Sequence, residues 1–142
     1  MKYYSIVLSA LLTTACATTA MASASNDATD HINNIAAGKV TSVMQDYANN
    51  AVFQWIGGPL DGVYSNHKSI KEVWSKFAKG NAPLTAKIDQ ITESSNPKGS
   101  TVSANVVFNG KKTIKVRYIL TYRGGKLVNE IWQIDPKLAA AY

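Results

Sequence analysis

At 142 residues, of which 46% are hydrophobic, the chain is long enough to bury one core and too short for two domains. The formal net charge of +6 arises from lysines and arginines scattered along the sequence, with no run longer than Lys111-Lys112. Scattered basic residues are typical of a solvated surface with a mild attraction to anions, so we expect no nucleic-acid partner.

The first 22 residues have the pattern of a secretory signal peptide. Lys2 gives a positive start, residues 6–12 form a short apolar run, and both Ala20-Met21-Ala22 and Ala22-Ser23-Ala24 fit a small-x-small cleavage site. The apolar run is too short to cross a bilayer, so we expect no membrane span. We therefore expect an exported protein, periplasmic or secreted, from which residues 1–22 are removed.

The only cysteine, Cys16, lies inside this segment. The sequence Thr13-Thr14-Ala15-Cys16 resembles a bacterial lipoprotein box, although Leu12 stands one position too early for that pattern. A lipid anchor at Cys16 is thus an alternative to simple cleavage. Under either interpretation we expect no disulfide, so the stability of the domain must come from packing.

Two helices are predicted after this segment. Residues 23–29 are small and polar and predict a flexible leader, followed by a domain over residues 30–136 and a C-terminal tail over residues 137–142. Gly38 is placed to end the first helix. The second helix is predicted from an apolar stripe at i, i+3, i+4, i+7 and i+8, formed by Val40, Val43, Met44, Tyr47 and Ala48.

The next segment predicts a strand, a loop and a third helix. Residues 51–56 predict the strand, and the glycine-rich residues 57–62 lack the spacing of a phosphate-binding loop, so a plain connection is expected. Asn66 is a good N-cap for a helix over residues 68–79. On its wet face, we expect Glu72 to pair with two lysines at i±4, Lys68 and Lys76.

The rest of the chain predicts four antiparallel strands. The first begins at residue 84 and frays at residues 94–97, and a three-stranded meander follows over residues 99–135. Asn109-Gly110 predicts a type I′ hairpin, and Gly124-Gly125 predicts the next turn. Helices segregated from strands indicate an α+β fold, in which three helices pack on the concave face of a strongly bent, mainly antiparallel sheet.

Several stretches of the sequence resemble the nuclear transport factor 2-like superfamily, which includes polyketide-cyclase-like and ketosteroid-isomerase-like proteins. They are residues 47–53 (Tyr-Ala-Asn-Asn-Ala-Val-Phe), the Gly-Pro loop, residues 69–74 (Ser-Ile-Lys-Glu-Val-Trp) and residues 125–128 (Gly-Lys-Leu-Val). The resemblance spans residues 26–135. It implies a cystatin-like cone with a pocket between sheet and helices, and a homodimer formed through the sheet.

The sequence departs from the ketosteroid isomerase pattern at its functional positions. That mechanism uses an aspartate base, together with a tyrosine and a protonated aspartate as oxyanion donors. By the resemblance, the base position falls on Trp55, the donor aspartate on Tyr118 or Ile119, and the tyrosine near His31. Because both carboxylates are missing, we do not expect this chain to share the mechanism.

Glu130 is the sharpest candidate for chemistry. By the resemblance, the strand face with Glu130 and Trp132 points into the pocket, where burial would raise the pKa of the carboxyl and suit it to acid–base work. Alternatively the opposite face points inward, or Glu130 pairs with Arg117 or a lysine. His31 and His67 stand alone without metal-ligand spacing, so we expect no metal and no cofactor.

We expect an exported, non-catalytic domain that binds a small apolar or aromatic ligand. Its site is predicted from inward aromatic side chains and one carboxylate: Trp55, Trp74, Tyr118, Tyr122, Glu130 and Trp132. One alternative is an isomerase, dehydratase or cyclase, with Glu130 or His31 as base and Tyr118 as hydrogen-bond donor. The other is an interaction module that uses the outer sheet face, where the predicted residues are Lys115, Arg117, Ile119 and Arg123.

Overall fold

The computed structural model describes residues 23–139, so the predicted signal peptide, Cys16 and the end of the tail lie outside the described residues. Within this range the helices are α1 (Ala24–Ala37), α2 (Val40–Gln45) and α3 (His67–Asn81). The strands are β1 (Tyr47–Ile56), β2 (Gly62–Tyr64), β3 (Thr85–Asn96), β4 (Gly99–Asn109), β5 (Thr113–Arg123) and β6 (Lys126–Ile134). None of the helices in residues 23–139 is long and apolar enough to cross a membrane.

The strands form one sheet in the order β2-β1-β6-β5-β4-β3. Neighbouring strands are antiparallel except β1 and β6, which are parallel. The pairing register shifts between Asp89 and Thr92 on β3 and between Thr121 and Tyr122 on β5, and such irregularities bend strands. The predicted α+β fold, with three helices on the concave face of a mainly antiparallel sheet, is confirmed.

The predicted flexible leader is wrong, because α1 already begins at Ala24. Ser23 is its N-cap and accepts a hydrogen bond from the backbone N–H of Asn26. Ala24 and Ala28 lie four residues apart on one helical face and are buried. The backbone N–H and hydroxyl of Ser25 both donate to Glu93 on β3 at 2.8 Å. The start of the helix is therefore held by a cap, by core contacts and by the sheet.

The predicted second helix is too long. It ends at Gln45, and Tyr47 and Ala48 belong to β1. The backbone N–H of Leu127 donates to the carbonyl of Asp46 at 2.8 Å, and Tyr47 pairs with Leu127 across the parallel strands. Pairing with β6, which is 80 positions further along the chain at Leu127, overrides the local helical periodicity here.

The predicted helix end at Gly38 and the turn at Gly124-Gly125 are confirmed, whereas the predicted two-residue hairpin at Asn109-Gly110 is wrong. Gly38 ends α1 in the left-handed region at φ 73°, and Gly124-Gly125 has φ of 55° and 73°, as a type I′ turn requires. The connection after Asn109 is longer than a two-residue turn, since β5 starts only at Thr113. Strand β3 does not fray at residues 94–97 but stays paired to its end, where Asn96 faces Gly99.

The core lies between the helices and the concave face of the sheet. Across the middle of this face, Trp55 on β1, Trp132 on β6 and Tyr118 on β5 stand side by side as register partners. The rings of Trp55 and Trp132 are 4.9 Å apart, and those of Trp132 and Tyr118 are 5.2 Å apart. We call these three residues the aromatic row, because it divides the concave side into two regions.

Candidate functional site

On one side of the aromatic row lies a group of buried, mutually hydrogen-bonded side chains, which we call the polar network. Its members come from α1, the α2–β1 junction, α3 and two central strands: His31, Asp46, Tyr47, Trp74, Tyr118 and Glu130. On the other side lies an open cleft. The two regions differ in chemistry and in access to solvent.

Glu130 is the centre of the polar network and is fully buried. The Tyr47 hydroxyl donates to its Oε1 at 2.5 Å, and the Tyr118 hydroxyl donates to its Oε2 at 2.5 Å. The Nε2 of His31 lies 2.9 Å from the same Oε2. The indole N–H of Trp74 donates in turn to the Tyr47 oxygen at 2.7 Å. Each polar atom of the carboxylate thus has a partner.

His31 bridges two carboxylates. Its Nδ1 lies 2.7 Å from Oδ2 of Asp46, and its Nε2 lies 2.9 Å from Oε2 of Glu130. Ionised carboxylates only accept hydrogen bonds, so both ring nitrogens must donate and the ring is an imidazolium. Burial alone would lower the pKa of His31, but the hydrogen bonds and charges of Asp46 and Glu130 outweigh it and raise the pKa to about 9.

The two tyrosines remain protonated donors. Burial, together with the nearby negative charge of Glu130, raises the pKa of Tyr47 and that of Tyr118 well above the ordinary tyrosine value. The part-exposed Asp46, whose side chain is 36% accessible, brings the polar network to the surface. The chain Asp46–His31–Glu130 could pass a proton inward, but neither His31 nor Glu130 lines the open cleft.

The structure decides between the alternatives for Glu130. Glu130 and Trp132 do face the interior, as predicted from the resemblance. The proposed partner is wrong, however, because Glu130 pairs with His31, whereas Arg117 forms an ion pair with Asp135 at 3.5 Å. This pairing joins residues 99 positions apart, which no local motif could indicate.

The cleft has a volume of about 790 Å³ and opens between α3, the β1–β2 loop, the start of β5 and the end of β6. Volumes of roughly 300–1,000 Å³ are usual for small-molecule sites. Its walls are mainly apolar and include Trp55, Pro59, Leu60, Phe77, Ile114 and Ile134. The cleft therefore offers an accessible apolar surface directly beside the aromatic row.

Three lysines, Lys76, Lys112 and Lys115, also line the cleft, and none of the described lining residues is acidic or a histidine. The predicted pairing of Glu72 with two lysines is only half correct, since Glu72 contacts Lys68 at 4.0 Å and not Lys76. Lys115 donates to the carbonyl of Leu138 at 3.5 Å. Because Lys76 and Lys112 are exposed and no acidic residue is among the described lining residues, the rim of the cleft is cationic.

Trp55 also brings a polar atom to this region. Its indole N–H is buried and has no hydrogen-bond partner among the described residues, as is also true of the Trp132 indole. Leaving such a donor unpaired costs about 1–3 kcal/mol. Trp55 lines the cleft with its ring, whereas its indole N–H is closed to solvent.

The six predicted ligand-lining residues do not line one common hollow. Only Trp55 borders the cleft, while Trp74, Tyr118, Glu130 and Trp132 are at most 2% exposed in the core. Tyr122 borders two shallow depressions near residues 94–100. The expected hollow is filled because the rings pack on one another, as in the stacked pairs Phe53–Trp74 and Phe108–Trp132, each 5.0 Å apart.

Sequence reasoning missed Asp46 and Tyr47 in the polar network and the lysines of the cleft. In the predicted second helix Tyr47 belongs to the apolar stripe, and Asp46 lies outside that stripe. The uninterrupted helical periodicity gave no signal of the turn between them. Within residues 23–139 there is no group of three or more His, Cys, Asp or Glu side chains that could hold a metal ion.

Comparison with solved structures shows the class of fold. A protein of unknown function with a cystatin-like fold from Nostoc punctiforme is 13% identical, with a TM-score of 0.65 over 78% of this chain and 87% of that chain. A ketosteroid isomerase-like protein from Erwinia carotovora atroseptica is 10% identical, with a TM-score of 0.61 over 77% of this chain and 91% of that chain. The resemblance to nuclear transport factor 2-like proteins is thereby confirmed for the fold.

A third similar structure shows how varied the proteins with this fold are. It is a candidate calcium/calmodulin-dependent protein kinase II association domain from Xanthomonas campestris, 17% identical, with a TM-score of 0.63 over 81% of this chain and 86% of that chain. No family model and no curated protein matches the sequence. One fold thus serves isomerase-like and association domains, so function must be argued from the site.

Proposed function

We propose that this protein is an exported small-molecule-binding domain that holds an apolar ligand in the cleft and catalyses no reaction on it. The observation that carries the proposal is the cleft of about 790 Å³ with apolar walls at the open side of the aromatic row.

The arrangement of the acid–base groups argues against the isomerase, dehydratase or cyclase alternative. A general base must come within hydrogen-bond reach of the substrate proton. Glu130, His31 and Tyr118 are all fully buried, and Trp132 packs between Tyr118 and the cleft residue Trp55. Their polar atoms are already engaged with one another, so we assign them a structural role.

The outer sheet face gives less support to an interaction module. Arg117 is paired with Asp135, and Lys115 contacts the segment that follows β6. Leu138 in that segment is only 3% exposed, and Val107 on β4 only 2%. Part of this face is therefore already covered by the chain itself.

Pairing of two copies through the sheet stays a prediction, which light scattering of the purified protein would test.

Binding in the cleft can be tested with the neutral fluorescent dye N-phenyl-1-naphthylamine and two matched variants of β5. Ile114 is half-buried in the cleft, and Ile119 is half-buried on the outer face of the same strand. We expect Ile114→Glu to weaken dye binding at least tenfold, because it places a carboxylate in the apolar wall, while Ile119→Glu leaves it unchanged. Absence of dye binding to the unaltered protein, or equal loss in both variants, would contradict the proposal.

Export can be tested by the mass of the mature protein made from the full chain. We expect cleavage after Ala22, because this keeps Ser23, the N-cap of α1, whereas cleavage after Ala24 would remove the cap. A mass with a lipid on Cys16 would instead support the lipoprotein alternative. An unprocessed chain that stays in the cytoplasm would contradict export.

A further inference from the structure

We infer that the ligand of the cleft is an amphipathic anion, with an apolar body against the walls and a single carboxylate at the lysine rim. This inference rests on the proposed function and goes beyond it by naming the chemical class of the ligand. It follows from the distribution of charge around the cleft.

The cleft brings together two exposed lysines from separate parts of the chain. Lys76 comes from α3 and Lys112 from the β4–β5 connection, whereas the side chain of Lys115 donates to the carbonyl of Leu138. The described lining residues include no carboxylate to offset them. Like charges gathered at one opening repel each other, and a bound anion relieves that repulsion while an apolar neutral molecule does not.

The neighbouring carboxylates are engaged elsewhere. Asp61, in the loop that borders the cleft, accepts a hydrogen bond from the backbone N–H of Gly57 at 2.7 Å. Asp135, at the end of β6, pairs with Arg117, and Glu72, one helical turn before Lys76, pairs with Lys68. Lys76 and Lys112 form no ion pair within the described part of the chain, and both are exposed. Their charges therefore remain available to a ligand.

The apolar walls make a small hydrophilic anion the wrong occupant. Phosphate or sulfate would leave Trp55, Phe77 and Ile114 without an apolar partner, whereas a carboxylate on a long hydrocarbon or aromatic body satisfies both parts of the cleft. Aliphatic and aromatic carboxylates share this chemistry. The binding experiment therefore includes a pair of probes for each.

The test compares acids with their matched alcohols, namely dodecanoate with dodecanol and 1-naphthoate with 1-naphthalenemethanol, by displacement of the neutral dye below the micelle concentration. We expect at least one acid to bind tenfold or more tightly than its alcohol at low salt, with the preference shrinking as salt rises. The double variant Lys76→Gln/Lys112→Gln should abolish the preference. The matched control Lys71→Gln/Lys111→Gln, in the same helix and the same connection, should retain it.

The outcomes separate this inference from the function on which it rests. If both alcohols bind as tightly as their acids, or if the double variant keeps the preference, the anionic ligand is refuted while cleft binding stands. If the dye binds with no sensitivity to Ile114→Glu, the proposed function itself fails, and the ligand class fails with it.

Discussion

The polar network and the cleft lie on the same face of the same sheet, and Trp132 is in ring contact with residues of both. The polar network contains an imidazolium, two carboxylates and two phenols, all but Asp46 sealed from solvent. The cleft contains apolar walls and lysines, with neither carboxylate nor imidazole among its described lining residues. Reactive side chains and access to ligands are therefore separated, which is why we assign stability to one region and binding to the other.

The largest expected effect is a loss of stability when Glu130, the centre of the polar network, is replaced. Glu130→Ala leaves the His31 imidazolium and two tyrosine hydroxyls buried without their acceptor. Breaking a buried ion pair in this way costs about 3–5 kcal/mol, so we expect the free energy of unfolding in urea to fall by that amount. Tyr122→Phe is a suitable control, because the buried Tyr122 hydroxyl has no partner among the described residues and its loss should cost little.

A result in which Glu130→Ala folds with unchanged stability but loses dye binding would reverse the two assignments. Glu130 would then belong to the ligand site and not to the scaffold. Retained dye affinity in the folded fraction, at lowered stability, would support the separation of the two regions.

The next effect is a dependence of stability on pH. The pKa of His31 is about 9 in the folded protein and 6.5 in the unfolded chain, so the folded state binds the proton more tightly. This contribution is fully present below pH 6.5 and is lost as pH rises towards 9, with an expected total of about 3 kcal/mol. The neighbouring Tyr47 and Tyr118 stay protonated in this window, because their pKa values are raised.

Urea denaturation at several pH values between 6 and 9.5 measures this effect. The control is His31→Gln, which should be less stable at pH 6 and nearly flat across the same range. An unaltered protein whose stability is constant, or rises, over this range would show that His31 is neutral in the folded state. The polar network would then not be the ionic assembly that its geometry indicates.

The smallest expected effect concerns the cleft. Lys76→Gln/Lys112→Gln removes two exposed charges that form no ion pair among the described residues. Exposed substitutions of this kind usually change stability by less than about 0.5 kcal/mol, so we expect urea denaturation to be unaltered. A clear loss of stability would mean that the rim lysines support the fold, and it would weaken their assignment to a ligand.

Much of the fold could be predicted because it depends on local patterns. A short stretch of sequence contains the whole apolar stripe of α3 and the whole alternation of β5. The cap of α3 at Asn66 is likewise a local signal. The predictions failed where distant pairing decides. Tyr47 is in a strand because Leu127 pairs with it, and the polar start of α1 is ordered because Glu93 accepts from Ser25.

The candidate site was less predictable for the same reason. The resemblance predicted that Glu130 and Trp132 face inward, whereas the alternation along this strand left either face possible, because Ile131 between them is also apolar. The sequence does not show that His31 would be the partner of Glu130, nor whether the inward rings would surround a hollow or fill it. That outcome depends on how side chains from distant elements pack, and here the rings fill the space beside Trp132 while the open cleft lies next to Trp55.

The position of β6 in the sheet has a consequence for folding. Strand β6, which follows the other five described strands in the chain, lies between β1 and β5 in the middle of the sheet and carries both Glu130 and Trp132. Until that strand is available, β1 lacks a link to the meander and His31 lacks its buried counter-ion. A nascent chain that ends before residue 126 therefore cannot close this core, and the domain can fold only once residues 126–134 are available.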